Sequence, residues 1–402
     1  MRYNTSRRSF LKRVGVGSFG AVAAGGLLRA EDKNPDVETF GKSGIETSAR
    51  PKGKWEPVSD RKIRVGIVGY GECKFGALFY FQNHPNVTVA AVSDLIPERC
   101  AELAKACRCE KTYPSLEKLV EDDAIEAVFV ATDPPSHAKH CIEVLRHGKH
   151  VASAVPAVFG SLDDAEKLLE AVESSGLKYM MFETSAYHED CHAMREIHRA
   201  GGFGKLVYSE GEYFHHRPKP IPSFGGWRIG LPPLWYPTHS TAYHCCVGCG
   251  SFTEVSCMGS SSLREDMQPA NNRYKNPFGT EIALFRTSEG GMSRMAVSWD
   301  TPGYPGERGR VRGQLGSMTD MKYEGTMTEL PNLERPPLPP GVNPGGHRGS
   351  YGPLTNEFIT AILENRKPLV DIVTALNLTV PGIVAHQSAL KDGALMKIPQ
   401  YA

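Results

Sequence analysis

Two short stretches combine the residue types that carry proton-transfer chemistry. LWYPTHSTAYHCC (residues 234–246) holds two tyrosines, two histidines and two adjacent cysteines, and GEYFHH (211–216) holds a tyrosine and two histidines. Tyr and His can both exchange protons, whereas His and Cys are also common metal ligands. The two stretches are therefore candidates for a catalytic site or a metal site, or for a tightly packed helix and strand.

The local backbone predicts how these side chains are presented. Tyr236 precedes a proline and is expected to be extended, and Pro237 suits the first turn of a helix. His239 would then lie at the positive end of the helix dipole, which disfavours imidazolium and predicts a neutral ring that can accept a proton. In GEYFHH, the period of two places Tyr213 and His215 on one face of a strand. We therefore predict that these two Tyr/His pairs converge on one pocket.

The remaining residues of the first stretch are expected to pack. His244 falls five positions after His239 and so on a different helical face, while Cys245, Cys246 and Cys249 are expected to pack the same helix against a sheet. The chain has ten cysteines, but their spacing lacks the second partner pair of a zinc finger. We predict no metal, although a metal-dependent enzyme using the His/Cys cluster remains a hypothesis.

The elements that must position these residues begin at Lys62. KIRVGIVGYG, VTVAAVSD, IEAVFVAT and KHVASA are apolar throughout and predict buried strands. They alternate with ALFYFQNHP, PERCAELAKAC and SHAKHCIEVLRHG, which predict helices. Buried strands that alternate with helices indicate a parallel sheet covered on both faces, so the fold class is α/β with an N-terminal Rossmann domain.

The turn after the first strand favours a dinucleotide. Gly69 and Gly71 let backbone amides approach a pyrophosphate at a helix N-terminus. Asp94 ends the second strand, 25 residues after Gly69, where a carboxylate holds the ribose hydroxyls of NAD and repels the extra phosphate of NADP. Asp94 could instead be a turn or cap residue. Lys74 stands where a third glycine is usual, so we expect looser packing there.

The N-terminus predicts export. SRRSFLK (6–12) precedes a weakly apolar, Gly- and Ala-rich run, which matches a twin-arginine (Tat) signal and predicts a periplasmic or otherwise exported protein. Cleavage after Ala30 would lower the basic residues from 46 to 40, against 45 acidic ones, so the mature chain is mildly acidic. We therefore expect no nucleic-acid partner and no membrane contact beyond the signal.

The chain predicts two domains after the signal. We expect a signal peptide at 1–30, a flexible leader at 31–60, an NAD-binding Rossmann domain at 61–183 and a substrate and oligomerisation domain at 184–402. KLVYSEGEYFHH, FTEVSCMGS, TEIALFRT and GMSRMAVSW predict strands of the second domain. LTNEFITAILEN and DIVTALNLTVPGIVAHQSAL predict C-terminal helices that can pack back on the first domain, with Pro381 starting a new turn or kinking the second.

The order of motifs resembles the Gfo/Idh/MocA oxidoreductases. HPNVTVAAVSD, ATDPPSHA and GKHV follow that family's order, as does the later EFITAILENRKPLVD. The resemblance implies a second, α+β domain with an open, mostly antiparallel sheet, a homo-oligomer, and Thr132, Pro134 and His137 beside the nicotinamide. Typical members continue with Glu-Lys-Pro, but here Ala154 and Val155 replace Glu-Lys and only Pro156 remains. Trp235 stands where an Asp is usual.

A narrower branch also lacks that lysine. The chain is similar to the NAD-dependent α-N-acetylgalactosaminidases of this superfamily in AVP (154–156), MMFE (180–183), Trp227-Arg228 and YPTH (236–239). That similarity implies a sugar site formed by Tyr213, His215, Tyr236 and His239 beside tightly bound NAD. It also implies transient oxidation at sugar C3 followed by loss of the C1 substituent. Tyr187, Trp227 and Arg228 are weaker candidates for sugar contact.

Two further functions remain open at this point. One is a plain NAD-dependent sugar or polyol dehydrogenase, and the other is a non-catalytic sugar-binding protein that retains NAD. His347-Arg348 follows the proline-rich loop 331–346 and is a candidate for a mobile lid over a small carbohydrate.

Overall fold

The computed structural model describes residues 53–248, 250–302 and 306–402. All of them belong to one compact unit. The predicted signal peptide, the leader up to residue 52 and Cys249 lie outside the described residues. In the part that is described, no helix is both long and apolar enough to cross a membrane.

A parallel sheet forms the first half of the fold. Its six strands lie in the order β3-β2-β1-β4-β5-β6, and every neighbouring pair is parallel. This confirms the predicted Rossmann architecture, in which the strand order reverses beside β1. The strands are β1 (Ile63–Val68), β2 (Val87–Ser93), β3 (Thr112–Tyr113), β4 (Ala127–Val130), β5 (His150–Ser153) and β6 (Tyr179–Met181). The helices between them are α1 (Phe75–Leu78), α2 (Pro97–Cys107), α3 (Leu116–Val120), α4 (His137–Arg146) and α5 (Leu162–Ser175).

The first helix is much shorter than its sequence predicts. ALFYFQNHP was expected to be helical, but α1 has four residues and Tyr80 then adopts a left-handed conformation with φ of 62°. Phe79 and Phe81 are both buried in one aromatic cluster, with ring centroids 5.3 and 5.2 Å from that of Phe129. Residues two apart cannot share a helical face, so burying both rings ends the helix.

The second sheet has eight strands in the order β13-β12-β11-β7-β10-β9-β8-β14. Among the described strands of this sheet, only β7 and β10 pair in parallel, which confirms the predicted mostly antiparallel sheet. The four predicted strands are present, whereas β11 to β14 were not predicted. The strands are β7 (Leu206–Phe214), β8 (Phe252–Ser261), β9 (Phe278–Thr287), β10 (Met292–Ser298), β11 (Gly306–Gly313), β12 (Gly316–Thr319), β13 (Lys322–Gly325) and β14 (Met396–Lys397). The helices in this half are α6 (Glu189–Arg199), α7 (Thr238–Gly248), α8 (Gly346–Gly349), α9 (Tyr351–Leu363) and α10 (Ile372–Ala389).

Helix α7, which contains most of the LWYPTHSTAYHCC stretch, lies directly on the second sheet. A Cβ added at Gly211 of β7 would fall 1.9 Å from the carbonyl oxygen of Ser240, and one at Gly309 of β11 would fall 2.0 Å from the ring of Tyr243. Glycine at these two positions therefore allows the helix to touch the strands, and this contact brings the start of α7 beside Tyr213.

The two C-terminal helices pack in different places. Phe358 and Ile359 of α9 are buried in the same core cluster as strand β1, so this helix covers the first sheet. Helix α10 is continuous through Pro381, so this proline does not start a new helix, and the predicted kink stays a prediction. Proline cannot donate to the carbonyl four residues earlier. Helix α7 supplies donors instead, because Cys245 Sγ lies 3.5 Å from the carbonyl oxygen of Asn377 and Thr241 Oγ1 lies 2.8 Å from that of Leu378.

Candidate functional site

The glycine turn after β1 is built for close approach. Gly69 has φ of 101°, and a Cβ there would lie 2.4 Å from the carbonyl oxygen of Ala131, so no side chain fits. A Cβ at Gly71 would meet nothing within 4 Å. The turn is therefore tight at its first glycine and open at its second, which is the arrangement that a bound pyrophosphate requires.

The close helix–strand contact expected of a third glycine is made by Gly76 instead. A Cβ on Gly76 would lie 2.5 Å from the carbonyl oxygen of Gly69. Lys74 adopts a left-handed conformation just before α1, and its Nζ pairs with Glu102 at 2.7 Å. The expected looser packing at Lys74 is therefore wrong, because a glycine two residues later restores the contact.

Asp94 lies beneath the same turn. Its Oδ2 accepts a hydrogen bond from the Tyr70 backbone N–H at 2.6 Å, and its Oδ1 accepts one from Ile96 at 2.9 Å. Asp94 therefore orders the turn, and it also lines the cavity in front of it. In this geometry, Asp94 can both order the turn and bind the ribose hydroxyls of a dinucleotide, the two roles that the sequence left open.

One cavity runs from the glycine turn to the second sheet. The predicted residues that line it come from both halves of the fold: Gly69, Gly71, Asp94, Thr132, Pro134, His137, Trp227, Arg228 and Tyr236. Ala154 and Val155, which stand in place of the family's Glu-Lys, line it as well. Pro156 is not among the lining residues. Its carbonyl oxygen lies 2.8 Å from Nδ1 of the buried His137, so Pro156 positions a residue of the cavity wall without lining the cavity itself.

The four predicted Tyr/His residues form one cluster of rings, and Tyr236 is the member of it that lines this cavity. The ring of Tyr213 lies 5.5 Å from that of His215, 6.2 Å from that of Tyr236 and 4.6 Å from that of His239. The rings of the first pair are stacked, as the period of two predicts, although His215 is the residue just after the end of β7. The backbone of Tyr236 is not helical, but its ψ of 58° falls short of the extended value expected before proline.

The surroundings of His239 raise its pKa and favour the charged form, contrary to the expected neutral ring. Its Nδ1 lies 2.8 Å from Oε1 of Glu183, which follows β6. Burial lowers the pKa of His239, but the carboxylates of Glu183 and Glu307 outweigh it and raise the pKa to about 9. Two nearby carboxylates thus override the partial charge of a helix terminus. His239 Nε2 has no hydrogen-bond partner in the described part of the chain, so it can donate to a substrate.

Glu183 and Glu307 are the functional residues that sequence reasoning missed. Ser185 donates to both, through its backbone N–H to Glu183 Oε1 at 2.8 Å and its hydroxyl to Glu307 Oε2 at 3.0 Å. His188 Nε2 lies 3.2 Å from the same oxygen of Glu307. Burial raises the pKa of Glu307, but His239 and His188 overcome this and hold it well below its usual range. MMFE contains Glu183, although nothing in the sequence pairs it with a histidine 56 positions later.

His215 has the opposite electrostatic setting. Burial, followed by Arg217, Arg228 and His239, lowers its pKa to about 4. It is therefore neutral near pH 7 and can accept a proton. Burial also raises the pKa of both Tyr213 and Tyr236, so both remain phenols that can donate hydrogen bonds.

The weaker candidates separate into two groups. The Trp227 ring stacks on that of Tyr236 at 6.3 Å, and the Arg228 guanidinium lies 4.1 Å above the Trp227 ring. Tyr187 is placed elsewhere and is not among the cavity's lining residues. Its side chain packs against both core clusters, and its backbone carbonyl accepts a hydrogen bond from Arg335 at 2.9 Å. The structure therefore does not bring Tyr187 to the candidate sugar site.

The candidate lid residues are tied to the same site. The ring of His347 lies 6.3 Å from that of His239. Arg348 pairs with Asp190 of α6 at 3.0 Å and donates to the Glu307 carbonyl oxygen at 3.2 Å. This segment therefore covers the cluster through specific polar contacts.

The rest of helix α7 packs as predicted. His244 is buried and its Nδ1 lies 3.1 Å from Ser209 Oγ, while Cys245 and Cys246 are buried as well. Among the described residues, no group of three or more His, Cys, Asp and Glu side chains is arranged to hold a metal ion.

The fold and the cavity define a two-part protein with a Rossmann domain, and comparison with known proteins agrees. Residues 63–183 match the model of the oxidoreductase family with an NAD-binding Rossmann fold, Gfo/Idh/MocA. A glycosyl hydrolase family 109 protein of Bacteroides thetaiotaomicron is 31% identical over 202 residues, covering 46% of this chain and 43% of the relative. A family 109 protein of Solibacter usitatus is 23% identical over 99% of this chain and 97% of its own length.

Solved structures share the fold. Levoglucosan dehydrogenase, in a complex with NADH and levoglucosan, superposes with a TM-score of 0.68 at 17% identity, over 85% of this chain and all of that one. The alignment with the Bacteroides relative spans less than half of that protein's length. Residues 63–183 are thus similar to the NAD-binding domain of the Gfo/Idh/MocA oxidoreductases.

Proposed function

We propose that the protein is an NAD-dependent enzyme that cleaves a glycoside through transient oxidation of the sugar. The observation that supports this most directly is the shared cavity, because its glycine turn and Asp94 face the same space as Tyr236, whose ring lies 5.7 Å from that of His239. The similarity to glycosyl hydrolase family 109 proteins supports a carbohydrate substrate.

The residues present fit NAD. Gly71 leaves room for a phosphate, and Asp94 presents its carboxylate to the same cavity. The residue after Asp94 is Leu95, although Arg99 lines the same cavity, so the preference for NAD over NADP rests on the Asp94 carboxylate. When bound, NAD supplies a hydride acceptor for oxidation of the sugar at C3 and a hydride donor afterwards, so that no net oxidation remains.

The chain's own residues supply the proton transfers. His239 is protonated and donates through Nε2, while Glu183 holds its Nδ1. The C3 hydroxyl proton passes to solvent when the hydride leaves and returns when the hydride does. His215 is neutral and takes the C2 proton, which a C3 ketone acidifies, while His239 donates its proton to the oxygen of the departing C1 substituent. Water then adds at C1 and gives its proton to His239, as His215 returns a proton to C2. Tyr213 and Tyr236 hydrogen bond to the sugar oxygens, and Trp227 offers an aromatic face to the ring. A lysine at position 155 is not needed in this assignment, because His239 carries the positive charge.

The test is cleavage in deuterated water. A screen of aryl glycosides with the holoprotein should find a substrate whose released sugar carries deuterium at C2, with no net NADH. A plain sugar dehydrogenase would instead accumulate NADH and a keto sugar or lactone, and that outcome would contradict the proposal. A sugar-binding protein that merely retains NAD would give no product.

Variants of the cluster provide the matched controls. Tyr236→Phe and His239→Ala should each lower turnover by about 10²-fold or more, the usual scale for a positioned acid or base. Both should retain NAD, since neither residue belongs to the glycine turn. Full activity in both variants would show that LWYPTHSTAYHCC is not part of the active site.

A further inference from the structure

A second, smaller pocket adjoins the Tyr/His cluster and is lined by arginines. His215 and Arg228 line it together with Arg217, Arg264 and Trp299. Arg228 also lines the main cavity, so the two spaces meet at this side chain. The Trp299 ring stands edge-on to that of Tyr213 at 5.5 Å, which places the pocket one ring away from the cluster.

Arg264, one of the three arginines, has a structural role. Arg264 donates from Nε and Nη2 to the two carboxylate oxygens of Asp266, at 3.0 and 2.8 Å. Its Nη1 donates to the carbonyl oxygens of Arg217 and Trp299, at 2.9 and 3.0 Å. Arg264 is therefore neutralised, and it fixes the backbone of the other pocket residues in place.

The other two arginines carry charge that the described chain does not balance. No carboxylate of the described residues lies within ion-pair distance of Arg217 or Arg228. Arg228 is held over the Trp227 ring, which fixes the direction of its guanidinium. Both arginines lower the pKa of His215, so they act on the space beside this ring. Two such guanidiniums at the wall of a substrate pocket are suited to a planar or tetrahedral oxyanion.

We propose that this pocket binds an anionic substituent of the sugar, so that the substrate is an acidic carbohydrate bearing a carboxylate or a sulfate ester. This inference rests on the proposed function, since it assumes that the sugar ring lies against Tyr213 and Tyr236. The guanidinium groups then orient the sugar through charge-assisted hydrogen bonds, while Trp299 packs against its apolar face.

The experiment compares matched sugars on the NAD-loaded protein by calorimetry. The panel pairs D-glucose with D-glucuronate and D-galactose with D-galacturonate, and adds D-galactose 6-sulfate to separate the two oxyanions. At least one acidic sugar should bind about ten-fold more tightly than its neutral partner, the scale of a hydrogen bond to a charged group. Arg217→Gln should remove that preference, whereas Lys219→Gln, which changes an exposed cation outside the pocket, should keep it.

The outcomes separate this inference from the proposed function. Binding of neutral sugars with no preference for their acidic partners overturns the anionic pocket and leaves the proposed function standing. A preference that survives in Arg217→Gln also overturns it. Binding of no sugar of either kind, with NAD retained, counts against both. Circular dichroism of the two variants confirms that any loss is local.

Discussion

At the scale of single residues, the protonation state of His239 decides how the site works. Its partners come from two distant positions, Glu183 after β6 and Glu307 in β11. Trp235 occupies the position where relatives of the superfamily place an Asp, and its ring fills the space over Gly160, where a Cβ would lie 2.6 Å from it. The carboxylate that holds the histidine is therefore supplied by a different element.

We predict that Glu183→Gln will shift the titration of His239 downward. The pKa of about 9 is above the ordinary value of 6.5, so charged His239 stabilises the fold fully below about pH 6.5, and this contribution is lost as the pH rises through 9. In the variant, the effect of burial on the pKa of His239 should outweigh that of the remaining carboxylate. The pKa of His239 should therefore fall by about one unit or more relative to the unmodified protein. Histidine NMR measures the shift directly, with the exposed Glu98→Gln as control. An unchanged titration would show that Glu183 does not hold the proton.

At the scale of elements, the sequence predicted what local pattern determines. Apolar runs gave β1, β2, β4 and β5, and the period of two put Tyr213 and His215 on one face. Contacts between distant parts of the chain were not predictable, because no local pattern encodes them. Glu183 beside His239 is one example, and the donors from α7 that allow α10 to continue through Pro381 are another. The prediction of a longer helix α1 was wrong for the same reason, since the burial of Phe79 and Phe81 overrides helix propensity.

The glycine turn offers a test at this scale. Gly69→Ala should destabilise the fold by about 1–3 kcal/mol or more, because φ of 101° is unfavourable for a side chain that would also strike Ala131. Gly71→Ala should leave the melting temperature nearly unchanged, since its Cβ meets nothing within 4 Å. It should nevertheless weaken NAD binding, because that Cβ would occupy the cavity. Equal melting temperatures for the two variants would contradict this description of the turn.

At the scale of the whole molecule, the glycine turn follows β1 of the first sheet, whereas Tyr213 of the Tyr/His cluster lies in β7 of the second. Helix α7 touches the second sheet at Gly211 and Gly309, while α9 covers the first. The cavity therefore depends on the complete fold. A chain that must be fully folded around a cytosolic cofactor would need an export route that accepts folded proteins.

We therefore propose that SRRSFLK directs export of the NAD-loaded protein by the twin-arginine route. Changing both Arg7 and Arg8 to Lys keeps the charge but removes the paired guanidiniums, and it should leave the protein in the cytosol with its precursor uncleaved. The matched control is Lys12→Arg, which changes a basic residue outside the pair. Fractionation followed by nucleotide release on denaturation measures both location and cofactor content. Because free NAD is scarce outside the cytosol, exported wild-type protein should contain NAD on isolation. Normal export of the double-lysine variant, or exported protein that lacks NAD, would contradict the proposal.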